Sequence, residues 1–330
     1  RRGLAVAIAL LVTAALAAAG CGFGAGKGLG EAELTVTRDF GAHRVAAPVH
    51  AEVTESDTVM RLLEREAKIS TRYGGGFVQS IDGIEGGEQS GRRYDWFFYV
   101  NGLESPVGAA DYALRGGDSV WWDYRDWSAT SSVPAVVGSW PQPFAGSGGK
   151  TQPVSLECLG GASACAEVRS RLEQVGALER TSSRHAMTSA FERGGEGSGK
   201  HGIRVLVGPW ARLRSDPAAA QIESGPRASG VFARFTATSS GSSVLWGLDE
   251  AGEPARRFGP DAGLVAATRR GEEPPVWVVT GATGQGIRAA AGLLDSRHLH
   301  DHYAVAVEGG KETPLPLASV FVLPMEPTRR

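Results

Sequence analysis

Residues 128–152 constrain the fold of this chain more than any other stretch. Ser128 to Ser132 is small and polar, Pro134, Pro141, Pro143 and the adjoining Pro153 lack backbone donors, and Gly146 to Gly149 holds three glycines. Such a run discourages regular structure, so residues 128–152 are expected to be a linker between two units, 31–127 and 153–330. The 330 residues suit two domains of roughly 100–200 residues each. Trp140 is unusual in a linker, and it is a side chain able to dock onto one of the domains.

In the first unit, Ala32 to Arg38 alternates as a strand, with Leu34 and Val36 on one side, and His43 to His50 is its hairpin partner. Ser56 and Asp57 offer an N-cap ahead of Val59, Leu62, Leu63 and Ala67, whose spacing is that of one amphipathic helix. Gly74-Gly75-Gly76 then breaks the chain before a strand over Phe77 to Ile81. Tyr94 to Val100 is a β-prone run closed by Asn101-Gly102, a favoured two-residue hairpin turn. A last strand runs from Ser119 to Tyr124. Two strands, a helix and several further strands follow the order of a β-grasp: one helix packed across a mixed sheet. The expected fold class is therefore an α+β, β-grasp-like N-terminal domain. A separate α/β C-terminal domain follows it.

Four separated motifs carry a resemblance. Thr58-Val59-Met60 opens the helix, and Phe77-Val78 precedes Ile81-Asp82-Gly83-Ile84. Asp95 to Gly102 is followed by Gly108-Ala109-Ala110-Asp111-Tyr112 and by Gly117-Asp118 before an aromatic strand. In this order they resemble the transcobalamin C-terminal-like family over about residues 32–127. In eukaryotic members this small β-domain closes over bound cobalamin beside a helical domain, which has no counterpart here. The resemblance implies a corrinoid as ligand and an accessory role in vitamin uptake.

The second unit reads as α/β. Strands are expected at Val154 to Glu157, Ile203 to Val207, Val231 to Phe235, Ser243 to Trp246, Val276 to Val279 and Tyr303 to Val307. Helices are expected at Ala164 to Val175, Ala211 to Ile222 and Ile287 to Leu294. Strand, turn, helix and strand over 275–307 imply a parallel pair with a right-handed crossover. The same grammar over 203–235 raises an internal duplication.

The N-terminus sets the compartment. Arg1 and Arg2, an apolar run from Leu4 to Leu16, and Ala18-Ala19-Gly20-Cys21 have the n-region, h-region and cleavage site of a signal peptide. Cysteine directly after the small residues resembles a lipobox, so 1–21 is expected to be a lipoprotein signal with Cys21 lipidated. Residues 22–30 then form a flexible tether. Lipidating Cys21 leaves Cys158 and Cys165, an even pair suited to a disulfide in an oxidising compartment. The expected location is the extracytoplasmic face of the cell membrane. A net charge of -2 gives no electrostatic reason to expect nucleic acid or anionic lipid as partner.

Five of the eight tryptophans lie within residues 96–140. Alternation puts Trp96 and Phe98 on one sheet face with Val100, and Phe97 and Tyr99 on the other; Trp121 likewise faces away from Trp122. One face is core under the helix. The other is either an exposed aromatic surface for a planar ligand or is covered by the second domain or the linker. The candidate ligand-binding residues are Trp96, Phe98, Tyr99, Asn101, Trp121 and Trp122. Gly281 to Gly286 has the context of a dinucleotide loop, but the acidic residue such a loop needs is missing, and a plain tight turn is expected. His298, His300 and His302 would share a face on a strand, as metal ligands do, or be solvated in a loop; no metal site is assigned. With no nucleophile elbow, zinc-protease or paired-carboxylate motif, the chain is expected not to be an enzyme.

The expectation is a lipid-anchored binding protein without a cofactor, capturing a planar molecule such as cobalamin for a membrane transporter. The alternatives are a surface adhesion protein for a protein or cell-wall partner and, behind it, an extracellular hydrolase.

Overall fold

A computed structural model describes residues 26–178, 202–239 and 241–319. The expected signal peptide, Cys21 and tether residues 22–25 lie outside the described residues. The chain is mixed α and β, mostly sheet with few helices. Strand β1 (Gly28–Arg38) starts inside the expected tether, because Gly28 and Gly30 already pair with Thr54 and Val53. β2 (His43–Arg44) and β3 (Val49–Thr54) both pair with β1, and helix α1 (Val59–Glu66) follows. β4 (Ile69–Arg72), β5 (Phe77–Ile81) and β6 (Ile84–Glu85) form a small antiparallel sheet. β7 (Gly87–Gln89), β8 (Arg92–Val100), β9 (Leu103–Glu104) and β10 (Ser119–Asp126) complete a seven-stranded sheet. Its order is β2-β1-β10-β8-β7, with β1 and β10 parallel and the other pairs antiparallel.

Local chemistry explains these elements. Thr58, not Ser56 or Asp57, caps α1: its side chain accepts from Arg61 N. The next orphan donors, Val59 N and Met60 N, reach Tyr112 O and Ala109 O, so the 108–112 motif serves the helix N-terminus. Val59, Met60, Leu62 and Leu63 bury one face of α1 on the sheet. Asn101 and Gly102 sit at φ 54° and 75°, the two positive values that a type I′ hairpin turn requires.

In the second half, β11 (Val154–Cys158), α2 (Ala162–Gln174) and β12 (Ile203–Pro209) lead into three short helices, α3 (Trp210–Leu213), α4 (Pro217–Ala220) and α5 (Pro226–Ser229). The single helix expected over 211–222 is broken, with Pro217 opening a new turn capped by Asp216. β13 (Ala233–Ala237), β14 (Ser243–Leu248) and β15 (Pro254–Arg257) form their own antiparallel sheet. β16 (Gly263–Thr268), β17 (Val276–Gly281), α6 (Gly284–Ala291), α7 (Ser296–Leu299), β18 (Ala304–Glu308) and β19 (Lys311–Leu315) complete the chain. The six-stranded sheet has the order β11-β12-β17-β16-β18-β19. β17 and β18 do run the same way, but β16 lies antiparallel between them, so they are not the adjacent pair expected. The 203–235 unit does not repeat this arrangement, since β13 belongs to a different sheet.

Residues 128–152 are irregular, as their composition demands, yet they are no exposed spacer. Val133, Ala135, Val136, Val137, Trp140 and Phe144 are all buried. Val133 and Val136 join the cluster shared by both halves, while Ala135, Val137, Trp140 and Phe144 pack with β12, β17 and α6. Trp140 docks as a ring should, 6.0 Å from Trp277 and 5.3 Å from Phe144. Gly138 passes so close that a Cβ would stand 2.6 Å from the Trp121 ring and 2.8 Å from His302 N. Gly138→Ala should therefore destabilise the chain by roughly 1–3 kcal/mol. Because the halves share this core, urea should unfold the wild type in one transition; two resolved transitions would contradict a shared core.

Candidate functional site

The aromatic residues proposed from sequence are brought together, but not at the surface. Trp96 and Trp122 are 5% and 2% exposed, under α1 with Phe98, whose ring lies 4.9 Å from Trp122. Trp96 donates its indole N–H to Ile84 O. Tyr99 and Trp121, on the opposite face, are 0% and 2% exposed beneath the second half. Asn101 spends its amide internally, donating to Asp118 Oδ1 (2.8 Å) and accepting from Ser119 N (2.9 Å). The sheet therefore offers no open aromatic face, because both faces became core. Of the two sequence readings, coverage is the one observed, by the second half together with Val133 and Val136 of the linking segment.

That covered face holds a polar lock. Asp123, fully buried, accepts from Thr37 Oγ1 (2.6 Å), Gly41 N (3.0 Å) and Tyr303 Oη (2.9 Å). Tyr99 donates to Tyr303 (3.3 Å), and Trp121 Nε1 donates to Thr37 (2.7 Å). Burial pushes the Asp123 carboxyl up to about 6, against the pull of these donors. Burial also raises both phenols, keeping them protonated donors. Arg125, fully buried, stacks 3.8 Å over Phe97 and donates to Thr130 O and Ser131 O. Sequence alternation located these side chains on one face; nothing in it named Tyr303 as their partner.

The histidines lie beside this seam. His298 is in the short α7 and His300 and His302 follow it in a loop, so they do not form the strand face a metal would need. Among the described residues no group of three metal-ligating side chains converges. His300 donates to Asp301 Oδ1 (2.8 Å) and Glu33 Oε1 (3.2 Å), and these bonds push it up to about 9. Arg44 adds a contact to Asp301 at 2.6 Å, closing a charged latch from β1 and β2 onto the second half. His298 likewise faces Asp295 with one nitrogen and Glu312 with the other. Neither ring has a nitrogen directed at a serine or cysteine, as a nucleophile's base would.

Gly281 to Gly286 is a packing turn. Cβ atoms at Gly281 and Gly286 would strike Ala262, and Thr283 caps α6, accepting from Gly286 N while donating to Asp261 (2.7 Å). Cys158 and Cys165 form a disulfide with their Cα atoms 5.9 Å apart.

Two open concavities stand out among the described residues. One, of about 320 Å³, takes Glu104, Ser132 and Pro134 from the first half and its linking segment, and Gln221, Arg227, Arg269 and Glu272 from the second. Two donors in its wall, Arg269 Nε and Gln221 Nε2, are buried without a hydrogen-bond partner. Unsatisfied buried donors are costly and therefore uncommon. Sequence reasoning had no signal for this cleft, since its residues come from four separate segments. A second, of about 580 Å³, opens at the start of β1.

A family model described as a domain of unknown function, DUF4430, matches residues 56–126, from the turn before α1 to the end of β10. No curated protein matches the chain. A crystal structure from Ruminococcus gnavus, described as a candidate metal-binding protein, is similar to part of it. The identity is 15%, over 29% of this chain and 97% of that one, with a TM-score of 0.23.

The two shifted groups at the seam give stability a pH signature. Between about pH 4 and 6 the folded chain holds a proton on Asp123 that the unfolded chain has lost, so stability falls as pH rises through that window. His300 contributes fully below about pH 6.5, and its contribution is lost as pH rises toward 9. Urea midpoints of Asp123→Asn should lack the first slope and those of His300→Gln the second. Wild-type slopes in both variants would contradict the assignment.

Proposed function

We propose that this chain is a lipid-anchored, extracytoplasmic binding protein that holds a small polar ligand in the seam cleft and catalyses no reaction. The observation that carries this reading is the pair of unpartnered buried donors, Arg269 Nε and Gln221 Nε2, in a cleft lined from both halves. Ligand sites favour such crevices, and orientation comes from a few placed polar groups. Two arginines and two glutamates in the lining suit a ligand carrying both an acidic and a basic group.

The first half supports a β-grasp-like module of the transcobalamin C-terminal-like kind. Its parallel β1–β10 pair, flanked by antiparallel strands under one helix, has that order. A corrinoid stacked on Trp96 and Trp122 would have to displace α1, so the ligand is assigned to the cleft and not to these rings. The lipobox-like Cys21 and the Cys158–Cys165 disulfide support an anchored protein in an oxidising compartment, where captured ligand would pass to a membrane transporter.

An adhesive role is favoured by one separate observation. Tyr73 is 85% exposed at the Gly-rich tip between β4 and β5, at φ 53°, with its ring 6.0 Å from Phe77. Holding a large aromatic in the left-handed region at a hairpin tip is unfavourable, as befits a contact residue. Loss of cell-wall or protein-partner binding in Tyr73→Ala would favour this role over small-molecule capture.

A thermal-shift screen of amino acids, short peptides and cobalamin should find a stabilising ligand among the first two classes. At 100 times its Kd a ligand adds about 2.7 kcal/mol. The shift should vanish in Arg269→Ala and persist in Trp96→Phe. A shift with cobalamin alone, or one unaffected by Arg269→Ala, would contradict the cleft assignment.

A further inference from the structure

We propose that the cleft at the start of β1 binds the phosphate of an anionic phospholipid headgroup and seats the folded body on the membrane. The cleft, of about 580 Å³, is lined by Lys27, Arg115, Lys150, Leu29, Leu114 and Glu55, with the backbones of Gly28, Gly116 and Gly148 between them. Three cations face one carboxylate, although the chain as a whole carries -2. Only five lysines occur in the sequence, and two of them stand here. Lys27, Arg115 and Lys150 are exposed, and their side chains make no ion pair among the described residues. Arg44, Arg92 and Arg204, by contrast, all have carboxylate partners. Glu55, the one carboxylate in the lining, accepts from the backbone N of Lys27 (3.2 Å).

The lining is amphipathic. Leu29, 37% exposed, is one of three large hydrophobic side chains left open among the described residues, and Leu114, which is buried, lines the same cleft. Cationic heads around an apolar patch suit the boundary between headgroups and acyl chains. Charge alone would leave the source of the phosphate open; position decides it. Lys27 lies six positions after Cys21, and an extended chain of that length spans at most about 20 Å. If Cys21 carries the lipid, as the proposed function holds, this is the part of the folded body that cannot leave the membrane surface. The negative net charge sets only the far field; within a Debye length the local cations govern.

Every described strand lies within residues 26–319, so a chain beginning at residue 22 keeps the whole body and lacks the lipid. Its sedimentation with vesicles therefore reads the cleft independently of the anchor and of the seam ligand. It should bind phosphatidylglycerol vesicles and not phosphatidylcholine vesicles, and bind more weakly as salt rises. Each basic side chain near an anionic surface contributes roughly fivefold, so K27Q/R115Q/K150Q should lower partitioning about 100-fold while its melting temperature is unchanged. Equal partitioning of the variant, or equal binding to both vesicles, would overturn the proposal. Calorimetric binding of inorganic phosphate with no vesicle binding would also overturn it, in favour of a free oxyanion. Separately, failure of the palmitate label to reach Cys21 in cells would sink the anchor while leaving the vesicle result standing.

Discussion

The hydrogen bond from Tyr303 to the buried carboxylate of Asp123 joins two sheets that the sequence presents as separate units, and most of the molecule is arranged around it. A buried carboxylate is costly without donors; Asp123 has three, drawn from β1's Thr37, the Gly41 turn and the second half. Around this lock Trp121, Tyr99, Phe40 and Tyr303 pack edge-on or tilted, with centroids 5.2–5.8 Å apart. Such pairs add roughly 0.5–1.5 kcal/mol each beyond their buried area. Arg125 extends the lock into residues 128–132, whose carbonyls it needs. The segment between the halves is thereby ordered by what it neutralises and buries, despite a composition that forms no helix or strand.

The same interaction separates what could be read from sequence from what could not. Within the first half the elements follow from local rules: alternation gave β1, β8 and β10, helical spacing gave α1, and Asn-Gly gave the turn at 101–102. The cysteine pair followed from parity. What local rules do not encode is the partner of a face. Trp121 and Tyr99 read equally well as a ligand platform and as an interface, because burial against residues far along the chain leaves no periodic trace. β16 went unread for a related reason. Its Gly-Leu-Val-Ala-Ala-Thr is a short apolar run of small residues, yet it separates β17 from β18. Its small residues are there for packing: a Cβ at Gly263 would lie 2.9 Å from that of Ala290 on α6.

Both faces of the aromatic sheet are core, and the groups left unsatisfied lie away from it: Arg269 and Gln221 have unpartnered buried donors, and among the described residues Lys27, Arg115 and Lys150 make no ion pair. His298 and His300 are held between carboxylates instead of beside a nucleophile, as a structural latch requires. Alternation was thus enough to group the aromatic side chains by face, but not to show that both faces are buried.

If the Tyr99–Trp121 face is an internal seam, residues 26–127 in isolation must behave as a body with an uncovered core. Sedimentation combined with thermal melting would read both association and stability. With Phe40, Tyr99, Trp121 and Arg125 uncovered, the fragment should self-associate or melt well below the full chain. A monomeric fragment melting at the full-chain temperature would show that this face needs no cover and that the seam does not hold the molecule together.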